Sequence, residues 1–92
     1  MKARALVVFK GTVQGVFFRA TTQKFVQQEG GITGWIKNER DGNVRAVFEG
    51  DRAKVERVIS QCLNHQPMAR VDDCDVKWEP YTGEFKDFRT TH

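Results

Sequence analysis

Residues 11–19 read Gly-Thr-Val-Gln-Gly-Val-Phe-Phe-Arg and lie between an apolar run and a stretch with helical spacing. An arginine in the first turn of a helix, the place expected for Arg19, opposes the helix dipole unless an anion is bound there too. Consecutive backbone amides around a glycine can form a concave nest, and a guanidinium offers a planar fork that matches phosphate oxygens. These residues predict a strand-to-helix turn that cradles a phosphoryl group.

The segments on either side of this turn predict a strand and a helix. Residues 3–10 alternate and are rich in Val, Leu and Phe, which is typical of a strand covered on one face. Within residues 18–29 the side chains with helical spacing are Phe18, Thr22, Phe25 and Val26. The glycines at 30 and 31 can adopt the left-handed conformation that ends a helix.

The remainder of the chain predicts a hairpin, a second helix and one or two further strands. Residues 32–40 and 43–50 have β-type patterns joined by an Asp-Gly pair. Residues 70–78 return to strand character, and residues 81–89 predict a short edge strand.

The second helix has the clearest pattern. Asp51 can cap its start and Pro67 stops it. The apolar side chains that fall on one face are Val55, Val58, Ile59, Cys62 and Leu63.

The order strand, helix, strand, strand, helix, strand predicts an α+β fold of the ferredoxin-like (βαββαβ) type. Right-handed crossovers and a central hairpin give an antiparallel four- to five-stranded sheet with both helices on one face. The length of 92 residues suits a single domain over residues 1–92. This fold carries many functions, so residues at the site must identify the activity.

Composition favours a soluble cytoplasmic protein. The longest apolar run, residues 5–9, is too short to span a bilayer, and no leader with a small-residue cleavage site precedes it. Cys62 and Cys74 are expected to be reduced, because small disulfide-dependent domains usually carry more than one bridge. No exposed apolar stripe demands a partner, so we expect a monomer.

Positive charge is concentrated near the predicted cradle. Residues 1–28 contain five Lys and Arg and no carboxylate, whereas residues 71–88 contain six acidic residues and two lysines. Positive potential around the cradle would attract an anionic ligand. The overall net charge of +3 is only a weak indication of a nucleic-acid-binding protein.

Two stretches together resemble the acylphosphatase family. Residues 11–19 match its first signature, glycine-x-valine-glutamine-glycine-valine-x-phenylalanine-arginine, at each specified position. Residues 34–44, Gly-Trp-Ile-Lys-Asn-Glu-Arg-Asp-Gly-Asn-Val, and Gly50 resemble its second signature. The departure is Ile36, where the family usually has a smaller residue, and this change affects local packing rather than chemistry. Two long matches in order are far more specific than one glycine pattern.

The resemblance implies an enzyme that hydrolyses the carboxyl–phosphate bond of acyl phosphates without a metal or other cofactor. It implies that Arg19 and the loop backbone hold the phosphoryl group and that Asn38 positions the attacking water. The loop residues concerned are Gln14, Gly15, Val16, Phe17 and Phe18. The implied partners are a small-molecule acyl phosphate and inorganic phosphate, as product or inhibitor, with no nucleic acid and no membrane.

This implied chemistry suits the residues present. An acyl phosphate has a good carboxylate leaving group, so placement and charge stabilisation matter more than a strong base. A neutral amide can both accept from and donate to a water molecule, and the substrate phosphate can take the proton. Gly15 is expected to be needed for its backbone conformation, and its replacement by alanine should weaken phosphate binding if its φ is positive.

Two other functions remain as alternatives. A sheet-face RNA-binding module has the same topology, but it needs an aromatic basic motif on the central strands, and neither strand has one. A phosphate- or carbamoyl-phosphate-binding domain, similar to the front segment of large hydrogenase-maturation proteins, would share the cradle; a chain that ends at residue 92 favours a free-standing enzyme.

The histidines and cysteines do not predict a metal site. Cys62 and His65 have a Cys-x-x-His spacing, with Asp and Cys at 73–75, but no second half-site follows. Residues 73–75 also lack the glycine and terminal glutamate of a calcium loop. His65, near a helix end, and His92, at the terminus, are expected to take no part in the reaction.

Overall fold

The computed structural model describes residues 1–91, which form five strands and two helices. In chain order these are β1 (Lys2–Thr12), α1 (Phe18–Glu29), β2 (Thr33–Asn38), β3 (Val44–Asp51), α2 (Arg52–Asn64), β4 (Arg70–Glu79) and β5 (Phe88–Thr91). The predicted ferredoxin-like α+β fold is confirmed. Neither helix of this part of the chain has the length and apolar character needed to cross a membrane.

The strands form one sheet in the order β4-β1-β3-β2-β5. β1 pairs antiparallel with β3 and β4, and β2 pairs antiparallel with β3. β5 differs from expectation, because it begins at Phe88 rather than near residue 81 and runs parallel to β2. The sheet is therefore mixed rather than wholly antiparallel. Residues 80–87 do not belong to a strand, so the last strand begins only after them.

The core lies between the sheet and the two helices. Alternate residues of β1 and β3 are buried there, together with the inner faces of α1 and α2. Phe9 contacts Phe18 with ring centroids 5.0 Å apart, and Phe48 stacks on Phe88 at 5.4 Å. Ile36, the residue that departs from the second signature, is fully buried in this core. Its added volume is therefore used in packing.

The two helices begin differently. Asp51 caps α2 as predicted, because its Oδ1 accepts from the amide of Ala53 at 3.2 Å. Leu63 departs from the predicted apolar face of α2 and is exposed. α1 has no side-chain cap, and the residue before it, Phe17, has a left-handed backbone with φ of 61°. The uncapped start of α1 is part of the predicted cradle.

Residues 80–87 cross the sheet face that points away from the helices. Glu49 of β3 is 0% exposed on that face and accepts from the amide and hydroxyl of Thr82, both at 2.9 Å, and from the amide of Gly83 at 3.2 Å. Arg4 lies 3.5 Å from Glu49 and 2.6 Å from Glu84. The Arg4 guanidinium, and then the Thr82 hydroxyl, hold the pKa of the Glu84 carboxyl below its usual range. Residues 80–87 cover this face of the sheet, and this disfavours an RNA-binding module that would use the sheet face.

The pairing of β1 with β4 changes the charge distribution that the sequence predicts. β1 lies beside the acidic strand β4, so Lys10 forms an ion pair with Asp75 at 2.9 Å and Arg4 forms one with Glu79 at 3.2 Å. These two cations contribute less to the potential at the cradle than their positions in the sequence suggest.

Candidate active site

One cavity of about 340 Å³ lies where the β1–α1 loop meets the end of β2 and β5. It is lined by Val13, Gly15, Phe17, Phe18, Arg19, Ala20, Asn38 and Thr90. The fold thus brings Arg19 and Asn38, which are far apart in sequence, to one concave surface. Two of the predicted loop residues, Gln14 and Val16, do not line it; Val16 packs against the core instead.

The loop backbone contains two left-handed residues, Gly15 and Phe17. Gly15 has φ of 72° and Phe17 has φ of 61°, so left-handed residues alternate with other conformations as in backbone nests. Gly15 thus meets the condition of a positive φ, and a Cβ there would meet nothing within 4 Å, so a side chain would cost backbone strain alone. Within residues 1–91, none of the hydrogen bonds is donated by a backbone amide of residues 14–18.

The Gln14 side chain joins this loop to the β2–β3 hairpin. Its Nε2 donates to the carbonyl of Glu39 at 2.7 Å and to that of Asn43 at 2.8 Å. The amide of Glu39 also donates to Asn43 at 2.8 Å, so the side chain closes onto the two sides of the hairpin. The sequence indicated only a backbone role for Gln14. The sequence shows that the Gln14 side chain can donate two hydrogen bonds. It does not show which groups accept them, because those groups lie in a distant segment.

Arg19 lies in the first turn of α1 and is partly buried. Its Nη1 donates to the carbonyl of Thr91 at 2.9 Å, which orients the guanidinium between α1 and β5. β5 is held in turn by Gln23, whose Nε2 donates to the carbonyl of Phe88 at 2.9 Å. Sequence reasoning missed Thr90 as a lining residue, because the docking of β5 beside β2 has no local signal.

Asn38 is the last residue of β2 and lines the same cavity. Its Oδ1 is buried and has no hydrogen-bond partner among residues 1–91. A buried carbonyl oxygen without a donor is costly and calls for an explanation. A polar molecule in the cavity that donates to Asn38 would remove this cost.

Phe17 has two unfavourable features at the mouth of the cavity. The residue is 70% exposed, and a bulky residue with a left-handed φ is an outlier. Such strain costs on the order of 1–3 kcal/mol and tends to persist at functional sites.

The cysteines and His65 lie outside this cavity. Burial raises the pKa of the Cys62 thiol to about 12, and burial, followed by Asp75 and Asp73, raises that of Cys74 to about 11. Both are free thiols. Across residues 1–91 no group of three or more His, Cys, Asp and Glu is placed to hold a metal ion. His92 lies outside the described residues.

Comparison with known proteins identifies the family of this chain. A sequence model of the acylphosphatase family matches residues 5–90. An acylphosphatase of Pelotomaculum thermopropionicum is 48% identical over 88 residues, which cover 96% of this chain and 95% of the relative. One of Pyrobaculum aerophilum is 49% identical and covers 95% and 92%. The crystal structure of acylphosphatase from Bacillus subtilis superimposes with a TM-score of 0.91 and 26% identity, covering 100% of both chains. The chain belongs to the acylphosphatase family.

Proposed function

We propose that this acylphosphatase binds the phosphoryl group of an acyl phosphate with the backbone amides of residues 14–18 and the guanidinium of Arg19, while Asn38 positions the attacking water. The enzyme hydrolyses acyl phosphates to a carboxylate and orthophosphate. These residue roles rest on the observation that the loop, Arg19 and Asn38 line the same cavity.

Binding relies on charge and on donor geometry. The amides of residues 14–18 make no other hydrogen bond within residues 1–91, so they can donate to phosphoryl oxygens without losing a partner. The nest, the start of α1 and the guanidinium all favour a dianion. The Thr91 contact orients Arg19 before substrate arrives. These groups supply positive charge directly, and the proposed reaction uses no metal.

The chemical step is displacement at phosphorus. The oxygen of a water molecule held by the Asn38 amide forms a bond to phosphorus, and the bond from phosphorus to the acyl oxygen breaks. The carboxylate leaves with the bonding electron pair, one proton of the water passes to a phosphoryl oxygen, and the other stays on the attacking oxygen. Because the leaving group is good, catalysis depends on placement and on stabilising charge in the transition state.

The setting of the enzyme is also part of the proposal. We expect orthophosphate to bind the same cradle as product and inhibitor. We expect a monomer because the exposed edge strand β4 carries acidic side chains. Asp72, Asp73 and Asp75 discourage pairing of this strand with another sheet. A cytoplasmic location fits two free thiols.

Replacement of Gln14 with alanine is expected to loosen the cradle. It removes two hydrogen bonds to the hairpin, so the free energy of unfolding should fall by about 1–2 kcal/mol. Affinity for orthophosphate should also weaken, because the loop is no longer held against β2 and β3. Urea unfolding and inhibition by orthophosphate measure the two effects. Gln27→Ala on the exposed side of α1 is the matched control, and an unchanged phosphate affinity in Gln14→Ala would contradict the positioning role.

The reaction is tested by incubating the protein with benzoyl phosphate and, separately, with p-nitrophenyl phosphate in the presence of a chelator. Benzoyl phosphate should be hydrolysed and the phosphate ester should not, because the ester has the poorer leaving group. Arg19→Ala and Asn38→Ala, shown to be folded by circular dichroism, should both lose the activity. A salt-sensitive complex with RNA and no turnover would instead favour the binding module.

A further inference from the structure

The cavity has an apolar part that phosphoryl binding does not use. Gly15, Arg19, Asn38 and Thr90 provide backbone or polar groups. The remaining lining residues are apolar: Val13, Phe17, Phe18 and Ala20. A dianion gains nothing from these side chains, but an acyl phosphate has a second end. At about 340 Å³ the cavity lies within the size range of small-molecule sites and is larger than a phosphoryl group needs.

Phe17 is the apolar lining residue that can reach such an end. Val13 and Phe18 are almost fully buried, and both belong to the hydrophobic core. Ala20 is exposed but short. Phe17 is both large and exposed, and it is not a member of the core cluster. Its ring therefore contributes little to packing of the fold.

The backbone of Phe17 strengthens this argument. A left-handed φ is disfavoured for a bulky side chain, and exposure of a ring in water is unfavourable as well. Glycine or asparagine would meet the backbone requirement better than phenylalanine. Contact with a ligand explains the presence of a ring at this strained position on the cavity mouth.

We infer that Phe17 is a specificity-determining residue whose ring contacts the acyl group of the substrate and favours aromatic or extended apolar acyl groups over acetyl. This inference rests on the proposed function, because it needs the phosphoryl group to lie in the loop and the acyl group to project from it. Stacking or edge contact between two rings adds to the gain from burying apolar surface. An acetyl group is too small to gain as much.

The test compares kcat/KM for benzoyl phosphate with kcat/KM for acetyl phosphate in the intact protein and in Phe17→Asn. Asparagine tolerates the left-handed backbone, so this variant removes the ring and keeps the loop conformation. The preference for benzoyl phosphate, expressed as the ratio of the two values, should fall by up to about tenfold. The change should appear mainly in KM for benzoyl phosphate, whereas Phe17→Tyr should keep the preference.

Tyr81→Asn is the matched control, because Tyr81 is an exposed aromatic residue in the segment that crosses the other face of the sheet. Its preference should equal that of the unaltered protein. A Phe17→Asn variant that loses activity toward both substrates equally would overturn the inference, since Phe17 would then act only through the loop. If the unaltered protein hydrolyses neither substrate, the proposed function fails as well, so the two failures are distinguishable.

Discussion

Arg19→Lys should lower kcat/KM for benzoyl phosphate by about 100-fold or more, although the positive charge is retained. The guanidinium has five N–H donors in one plane, so it can hold the carbonyl of Thr91 and contact phosphoryl oxygens at the same time. The lysine ammonium has three donors around one point and a flexible stem. It cannot reproduce both contacts in a fixed orientation, so stabilisation of the transition state is lost.

Steady-state kinetics with benzoyl phosphate measure this effect, and circular dichroism with urea unfolding shows whether the variant is folded. Arg57→Lys is the matched control. Arg57 forms an exposed ion pair with Glu29 at 2.6 Å and does not line the cavity, so the same substitution there should leave kinetics unchanged. Turnover by folded Arg19→Lys at the unaltered rate would refute the role of the fork.

Local patterns predicted the elements that depend on neighbouring residues. Alternation along β1, the helical spacing in α2 and the capping side chain of Asp51 are properties of short stretches, and the structure has all three. The strand-to-helix turn at residues 11–19 is also local, because its glycines and its arginine lie within one short stretch of sequence. Confirmed features of the fold are mostly of this kind.

Features that depend on distant residues could not be predicted in the same way. β5 joins β2 in parallel after residues 80–87 have crossed the sheet, where the amides of Thr82 and Gly83 donate to Glu49 of β3. Gln14 contacts the hairpin across 25 and 29 residues of sequence. A glutamine or a buried glutamate has many partners that would satisfy it, and the sequence does not say which one the fold brings near.

The residues of the site could be predicted only in part, because some of them are brought together by distant segments of the chain. The resemblance identified Arg19 and Asn38, and the fold places both on one cavity. The left-handed backbone of Phe17 was not indicated, because the φ of a phenylalanine is set by the tertiary position of α1 rather than by its own preference. Thr90 was missed because β5 has no local sequence signal for its pairing.

Asn38→Ala should lower kcat by about 100- to 1,000-fold while KM and inhibition by orthophosphate change little. The phosphoryl group is held by the loop and Arg19 in our proposal, so the loss should fall on the water and not on binding. Measurement of kcat with benzoyl phosphate and of the orthophosphate inhibition constant separates these effects. A parallel loss of phosphate affinity would contradict a role confined to the water.

The same variant also tests whether Asn38 is kept for activity at a cost in stability. Its Oδ1 is buried without a partner among residues 1–91, so alanine removes an unsatisfied acceptor and breaks no hydrogen bond to that atom. The free energy of unfolding, measured in urea, is therefore expected to stay level or rise as activity falls. Asn43→Ala is the matched control, since Asn43 is in the same hairpin and its side chain bonds only Asp41 at 3.2 Å within the described chain. That variant should keep its activity, and a large fall in stability for Asn38→Ala would show that Asn38 supports the fold instead.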